Sequence, residues 1–377
     1  MTGRERLLRV FKQEAVDRVP VAPFIHINFV KEFFKDDNID VIEKTIEVYE
    51  HFGFDLIHRN CLPIGYDDID LSGPGWNVQR QTRTDGRDET RGTTIHTPEG
   101  TLTEKFSLNW MSRYDAEATA VEYLIKTEND FDVFSRYQPP AGMVDTSGIA
   151  KAKRLVCDTH KGIIAPWIQG AFNYVAFYYR KIDDLLLDAM INPAFYNRMM
   201  EYFLERNKQV IVRYIEAGVD AFSYAGNIAS GKLVSCDFFS RHVFPYEKKL
   251  IDFIKSKGVF VLYHNCGYGM KLFPVYKDLE MNVYESMTPP PFGDTVFETA
   301  LEIMPKNITL SGNLDQIKFL KTATPAQIRE KVRGLLDRAK KRGNFILSTT
   351  DYFGEQTPHG NIAAFAKAGR ELGKYSE

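Results

Sequence analysis

Short apolar, β-branched runs recur along the chain and alternate with segments whose apolar residues follow the i, i+3, i+4, i+7 spacing of a helix. The runs predict strands, and the spaced segments, such as 193–217 and 325–342, predict helices. Gly218, Gly258 and Gly343 each follow a predicted helix and precede a strand, as C-terminal caps do. The eight predicted strands are Val19–Phe24, Phe54–His58, Gly162–Trp167, Val219–Tyr224, Val259–His264, Asn282–Ser286, Ile308–Gly312 and Asn344–Ser348.

Eight strands, each followed by a helix, make the number needed for a closed parallel barrel. A doubly wound open sheet is the rival arrangement, but no Gly-x-Gly-x-x-Gly turn follows the first strand. We therefore predict an α/β fold, a (β/α)₈ (TIM) barrel that occupies residues 1–377 as a single domain. Residues 67–107 break the alternation, and Asp85-Gly86 and Glu99-Gly100 predict β-hairpins there. We interpret this excursion from the second βα loop as a lid or a docking surface.

The composition, with 44 % hydrophobic and 26 % charged residues, is typical of a globular protein. A net charge of −2 gives no basic field that would attract nucleic acid. No apolar run approaches the roughly 20 residues that a membrane span needs. Four irregularly spaced cysteines fit a reducing compartment, and the N-terminus does not resemble a signal peptide, so we expect the cytoplasm.

The side chains at the C-terminal ends of the strands form the active site of a parallel barrel. The fifth predicted strand ends in His264-Asn265-Cys266-Gly267. His264 and Cys266 are two positions apart and can face one point, and imidazole and thiolate are preferred zinc ligands. The alternative is a core histidine beside a free cysteine. Asp351, after the eighth strand, is the candidate third ligand, and an N-cap or loop hydrogen bond is its alternative role.

Other strand ends supply further candidates. Glu285, in the sixth strand, is a candidate general base or a partner that orients His264. Asn313-Leu314-Asp315, after the seventh, would bind substrate or fix the loop, while His359 and Cys236 are weaker ligand candidates. The aromatic density after the third strand favours an aromatic or apolar substrate. The candidate substrate-binding residues near the third and fourth strand ends are Trp167, Phe172, Tyr174, Tyr224 and Asn227.

Six segments resemble the uroporphyrinogen decarboxylase superfamily, and together they extend over nearly the whole chain. These segments are Arg4–Leu7, Asp17–Val21, Gly218–Ala221, Phe244–Tyr246, Ser311–Asp315 and Thr357–Ile362. The resemblance implies a (β/α)₈ barrel. True decarboxylases of this family carry an arginine-rich N-terminal signature that meets substrate carboxylates. The corresponding stretch here, Pro23–Phe29, has no arginine, which disfavours that activity.

The other branch of the family contains the corrinoid-dependent methyltransferases, whose zinc is bound by His-x-Cys and by a distant cysteine in the last βα loop. His264 and Cys266 match the first pair, and Asp351 stands in place of the distant cysteine. The resemblance implies zinc on these residues, a corrinoid carried by a partner protein, and a small-molecule methyl donor or acceptor. A carboxylate makes the site harder and a stronger Lewis acid, which suits an ether oxygen. We therefore interpret the chain as an O-demethylase-type methyltransferase acting on a methoxylated aromatic.

Three alternatives remain open at this stage. One is the reverse half-reaction, from a methylcorrinoid to a thiol or folate. Another is a decarboxylase that acts on a different acid. The third is a binding or regulatory subunit of a corrinoid complex without catalysis, and the missing third cysteine is the feature that keeps this alternative open. The sequence also leaves open a homo-oligomer.

Overall fold

The computed structural model describes residues 1–62, 73–141 and 144–375. Internal contacts group the chain into two units. The first comprises Met1–Pro63, Thr146–Ile168 and Tyr214–Glu377, and the second comprises Ile64–Asp145 and Gln169–Arg213. The expectation of one domain over residues 1–377 stays a prediction.

Parallel strands form the centre of the first unit. In chain order they are β1 (Leu56–His58), β6 (Gly162–Ile164), β7 (Trp167–Gln169), β8 (Ala221–Ala225), β9 (Phe260–His264), β10 (Val283–Ser286), β11 (Thr309–Leu314) and β12 (Phe345–Thr349). β1 pairs with β6, and the other six form one sheet in the order β12-β11-β10-β9-β8-β7. The predicted positions of seven strands are thus confirmed, as is the mixed α/β fold class.

The first predicted strand, Val19–Phe24, is reduced to a single parallel bridge between Val21 and Leu347. Proline at positions 20 and 23 explains this, because proline has no N–H to donate to a ladder. The segment still links neighbouring strands: Ala22 N donates to Leu347 O at 3.0 Å, and Asp55 N donates to Val21 O at 2.8 Å. These hydrogen bonds bring β12 back towards β1, as a (β/α)₈ barrel requires.

The third predicted strand is divided into β6 and β7 by Ala165 and Pro166. The backbone hydrogen bonds continue across the break, because Asp220 N donates to Ile164 O at 3.1 Å and Ser223 N donates to Pro166 O at 3.0 Å. The two short strands therefore occupy one strand position beside β8.

Helices surround these strands in the first unit. They are α1 (Gly3–Phe11), α2 (Ile27–Phe34), α3 (Val41–Phe52), α5 (Ser147–Ala152), α9 (Cys236–Phe238), α10 (Phe244–Ser256), α11 (Phe273–Tyr276), α12 (Phe297–Ile303), α13 (Phe319–Thr322), α14 (Pro325–Arg342) and α15 (His359–Leu372). The predicted helix 325–342 is confirmed at both ends. Thr324 caps its N-terminus through a capping box with Gln327, and Gly343 follows with φ of 79°, a conformation that favours glycine.

Helix α1 packs against the N-terminal ends of the strands. Thr309, the first residue of β11, donates to Val10 O at 2.9 Å, and the rings of Phe11 and Phe260 lie 5.3 Å apart. Helix α1 and the inward faces of the strands share one buried apolar cluster. Its members are Leu7, Val10, Phe11, Ala22, Ile57, Ile163, Ala165, Ala221, Leu262, Val283 and Ile346. Since this cluster fills the N-terminal end, inward-facing polar groups collect at the C-terminal end.

The second unit contains an antiparallel sheet in the order β2-β3-β4-β5. Its strands are β2 (Asn77–Asp85), β3 (Asp88–Thr97), β4 (Gly100–Trp110) and β5 (Ala116–Glu122). The predicted turns at Asp85-Gly86 and Glu99-Gly100 are confirmed as the β2–β3 and β3–β4 connections. The predicted excursion began at residue 67, but residues 67–72 lie outside the described ranges, and the sheet extends beyond its predicted end to Glu122.

The helices of the second unit are α4 (Glu128–Tyr137), α6 (Ala171–Tyr178), α7 (Ile182–Ile191) and most of α8 (Pro193–Glu216), whose end from Tyr214 falls in the first unit. None of the helices within the described ranges is both long and apolar enough to cross a membrane.

Candidate functional site

Strand alternation explains how the site is assembled in the first unit. Residues two positions apart in a strand face the same side, so the residue that comes two positions after a buried core residue also faces inward. Five such pairs, with the core residue first, are Ala22 and Phe24, Ile57 and Arg59, Ala165 and Trp167, Leu262 and His264, and Val283 and Glu285. The second member of each pair lies nearer the C-terminal end, where barrel enzymes place their active sites.

The structure brings together the three predicted metal ligands, His264, Cys266 and Asp351. Their ligand atoms all lie within 4.8 Å of one another. Zinc holds its ligands about 2.0–2.3 Å away, so the ligand atoms of a tetrahedral site lie roughly 3.3–3.8 Å apart. The observed spacing needs only a small side-chain movement, and nitrogen, sulfur and oxygen are the donors that zinc accepts. The residues present therefore fit a zinc ion with an open fourth position.

The imidazole of His264 is held on one side by the strand next to its own. Its Nδ1 atom lies 3.2 Å from Ser286 Oγ and 3.5 Å from Glu285 Oε2. A hydrogen bond from Nδ1–H to the carboxylate leaves Nε2 with the lone pair that a metal needs. His264 itself is only 7 % exposed. The ring is thus oriented before any ligand arrives.

Glu285 is in turn held by Arg59, which sequence reasoning missed. Arg59 donates from Nη2 to Glu285 Oε1 at 2.6 Å and from Nη1 to Oε2 at 3.0 Å. Nη1 also donates to Ser223 Oγ at 2.6 Å, and Ser223 donates to Ala165 O. All three side chains are buried. The result is a line of contacts from β1 through β10 to the candidate ligand on β9.

The charges of this group are strongly coupled. Burial raises the pKa of Glu285, but the charge of Arg59 and the hydrogen bonds from His264 and Arg59 outweigh it and lower the pKa to about 2. Burial lowers the pKa of His264, but hydrogen bonds to Cys266 and Glu285 raise it to about 10. Without a metal, the protonated ring can donate to both neighbours. Before Nε2 of His264 can bind a metal, it must release its proton.

Aromatic rings surround the ligands on the remaining side. The Trp167 ring meets His264 edge-on at 5.1 Å, and Phe24 lies 5.0 Å from Trp167 and 5.7 Å from Tyr352. The ring of His26 lies 4.8 Å from that of Tyr352. Trp167, His26 and Tyr352 are partly exposed, whereas Phe24 is buried. Such a wall can contact a flat apolar ligand next to the ligand cluster.

The loop that carries Cys266 is fixed by the residue between the two ligands. Asn265 is fully buried; its Oδ1 accepts from Gly267 N at 3.1 Å, and its Nδ2 donates to Tyr276 Oη at 2.9 Å. Tyr276, on α11, is also fully buried. This pair of hydrogen bonds sets the path of the chain from His264 to Cys266.

Four other residues were predicted to bind substrate, and the structure describes the surroundings of each. Tyr224 faces away from the inside of the barrel: its hydroxyl donates to Glu247 and its ring stacks on Tyr263 at 5.4 Å. Asn227 is exposed after β8. Phe172 and Tyr174 are buried in the second unit, where Tyr174 Oη accepts from Tyr179 Oη at 3.1 Å. Their assignment to substrate binding stays a prediction.

Asn313 lies inside the barrel but has a structural partner, since its Nδ2 donates to Met287 O at 2.6 Å. Asp315 caps the following turn by accepting from the backbone of Ile317 and Lys318. The weaker ligand candidates lie elsewhere: Cys236 Sγ is 2.7 Å from Lys271 O, and His359 stacks on Phe33. These contacts support the loop-fixing role considered for Asn313 and Asp315.

Residues missed by sequence reasoning have a common signal. Arg59 and Phe24 end or directly follow predicted strands, and Ser286 and Tyr352 directly follow residues already nominated. The rule that selected Asp351 would therefore also have selected Arg59, had it been applied to the second strand.

Comparisons with known proteins identify the family and the fold of the chain. Residues 115–372, more than half of the chain, match the family model of uroporphyrinogen decarboxylase (URO-D). The methylcobamide:CoM methyltransferase MtbA of Methanosarcina mazei is 21 % identical, with 96 % of this chain and 95 % of that protein aligned. MtbA of Methanosarcina acetivorans is 24 % identical over 37 % of this chain and 39 % of its own length.

A solved structure of a methyltransferase from Methanosarcina mazei superimposes with a TM-score of 0.70 and 14 % identity, and 99 % of each chain is covered. This likeness shows that the two chains share a fold. The family expected from the sequence segments is confirmed, and the relatives named above are methyltransferases. The chain therefore belongs to the uroporphyrinogen decarboxylase family, within which it resembles the corrinoid-dependent methyltransferases.

Proposed function

We propose that this protein is a zinc-dependent methyltransferase that moves a methyl group between a small substrate and the cobalt of a corrinoid held by a partner protein. The observation that carries the proposal is the convergence of His264, Cys266 and Asp351, with ligand atoms within 4.8 Å of one another. The family membership and the names of the two relatives support the corrinoid-dependent reaction class.

The three ligands would hold the metal and leave one position for substrate. Zinc in that place supplies Lewis acidity, which stabilises negative charge on a substrate heteroatom. The chain contributes orientation: Glu285 and Ser286 fix the His264 ring, and Asn265 fixes the loop to Cys266. Two roles were considered for Glu285, a general base and a partner that orients His264. Its hydrogen bond from Arg59 and its position against His264 support the orienting role.

The wall of Phe24, Trp167 and Tyr352 supports a methoxylated aromatic as the methyl donor. The rings of Phe24 and Trp167 lie next to His264, so a flat substrate stacked against this wall would have its ether oxygen near the ligand cluster. A ligand set with a carboxylate is harder than one with a second thiolate and suits an oxygen donor. The rings also exclude water, which strengthens electrostatic interactions inside the site.

A second candidate is the opposite direction, from a methylcorrinoid to a thiol. The relatives support it, since both are named methylcobamide:CoM methyltransferases. The same three ligands serve either direction, because zinc also activates thiols as thiolates. The names of the two relatives support neither a decarboxylase nor a non-catalytic subunit.

The test is methyl transfer with purified protein under anaerobic conditions. One arm supplies 2-methoxyphenol and a reduced corrinoid protein, and the absorbance of methylcobalt is followed. The other arm supplies the methylated corrinoid protein and a thiol. We expect turnover in the first arm, lost in His264→Ala together with the metal. Turnover only in the second arm would support the second candidate, and turnover by metal-free protein would overturn the zinc mechanism.

A further inference from the structure

We propose that Arg59 is a positioning residue for the metal centre, which acts by locking Glu285 against His264. The inference rests on the proposed function, since it concerns the same ligand cluster. It concerns a residue that lies far from the ligands in sequence: Arg59 follows β1, and its hydrogen bonds to Glu285 span 226 positions of the chain.

The contacts of Arg59 fix both terminal nitrogens of its guanidinium. Two parallel N–H groups bind both oxygens of Glu285, and Nη1 also binds Ser223 Oγ at 2.6 Å. The Arg59 side chain is 2 % exposed and that of Glu285 is 7 % exposed. A bidentate pair fixes the plane of the carboxylate as well as its position.

Aromatic rings seal this ion pair. The guanidinium carbon of Arg59 lies 5.2 Å from the centre of the Phe24 ring and 5.4 Å from that of Trp167. Both distances are within the range of cation–π attraction, and both rings keep water away from the pair. Arginine can stack on an aromatic ring and form a planar bidentate pair with a carboxylate, and lysine can do neither.

The consequence concerns His264. With Arg59 in place, Glu285 Oε2 is held 3.5 Å from Nδ1, so the ring presents its other nitrogen to the metal. With lysine in place of arginine, the carboxylate keeps a positive neighbour but loses the second hydrogen bond, and its plane can turn. Loss of an outer hydrogen-bond partner typically weakens metal binding by about 10–100-fold.

The experiment measures zinc affinity by competition with a chelator in the wild type, Arg59→Lys, Glu285→Gln and the double variant Arg59→Met/Glu285→Gln. The double variant removes both charges together, so it avoids leaving a buried charge unpaired and remains able to fold. Arg342→Lys is the matched control, because Arg342 binds backbone carbonyls such as Ile308 O away from the ligands. Cobalt(II) spectra of the same proteins report the geometry of the ligands.

We expect Arg59→Lys to bind zinc about 10–100-fold more weakly and to change the cobalt spectrum. Glu285→Gln should do the same. The zinc affinity of the double variant should be no more than about threefold below that of Glu285→Gln, because Arg59 acts on His264 through Glu285. Arg342→Lys should lower the melting temperature without changing either readout. Wild-type affinity and spectrum in Arg59→Lys would overturn this inference alone. A wild type that binds no metal would overturn it together with the proposed function.

Discussion

The buried histidine of β1 predicts a specific dependence of stability on pH. His58 is 0 % exposed, and its Nε2 lies 3.0 Å from Ile42 O. Burial lowers the pKa of this ring from 6.5 to about 4, although backbone hydrogen bonding with Ile42 opposes the shift. The folded protein therefore keeps His58 neutral at a pH where the unfolded chain protonates it.

The sign follows from proton binding. Between the two pKa values the unfolded chain binds more protons, so the free energy of unfolding rises with pH in that window. The contribution of neutral His58 to the free energy of unfolding is therefore complete above pH 6.5, and it is lost as the pH falls towards about 4. The two pKa values differ by about 2.5, which corresponds to about 3 kcal/mol over the whole window and about 2 kcal/mol by pH 5.

Denaturant unfolding of the wild type and His58→Gln at about pH 7.5 and about pH 5 measures this contribution. Glutamine keeps an N–H donor for Ile42 O but does not titrate. We expect the loss of stability between the two pH values to be smaller in His58→Gln by about 2 kcal/mol. His51→Gln, which replaces an exposed histidine on α3, is the control and should keep the wild-type difference. An equal pH dependence in the wild type and His58→Gln would refute the reasoning.

Three further substitutions test other contacts. Asp55→Asn breaks a buried carboxylate that accepts from Arg6, Arg18 and Val21 N, so denaturant titration should show a loss of about 3 kcal/mol, and an unchanged midpoint would contradict it. Tyr276→Phe removes the acceptor of the Asn265 amide, so it should lower the free energy of unfolding by about 1–3 kcal/mol and weaken zinc binding. Unaltered zinc affinity would show that this hydrogen bond does not hold the loop to Cys266. Trp167→Ala should raise KM for 2-methoxyphenol about tenfold with a smaller change in kcat, whereas an unchanged KM would remove the ring from the substrate pocket.

Much of the barrel could be predicted because its signals are local. Apolar runs mark the strands, and the glycines after α8, α10 and α14 all have positive φ, as caps require. The first strand was predicted too long, because the pattern of apolar residues does not show that Pro20 and Pro23 remove ladder hydrogen bonds. The break between β6 and β7 was not predicted for the same reason, since Pro166 also has no N–H to donate to a ladder.

The site residues that could be predicted are those whose residue type and position at a strand end already indicate a metal ligand. His264 and Cys266 share a short motif, and Asp351 follows the last strand, so the strand-end rule selects all three. The same rule applied to the second strand also selects Arg59, but it does not show what Arg59 does, because its partner Glu285 is 226 positions away. Tyr224 was nominated from its place at the end of a predicted strand, but Ala221 and Ser223 define the inward face of β8 and leave Tyr224 on the opposite face.

The most direct test of the account is the metal content of the purified protein, measured by elemental analysis in the wild type and in Cys266→Ala. We predict about one zinc per chain in the wild type and a loss of that zinc in the variant, since Cys266 supplies one of three protein ligands. Cys236→Ala, which removes a cysteine that is not a member of the ligand cluster, should keep the metal. Zinc absent from the wild type, or present in equal amount in Cys266→Ala, would contradict the account.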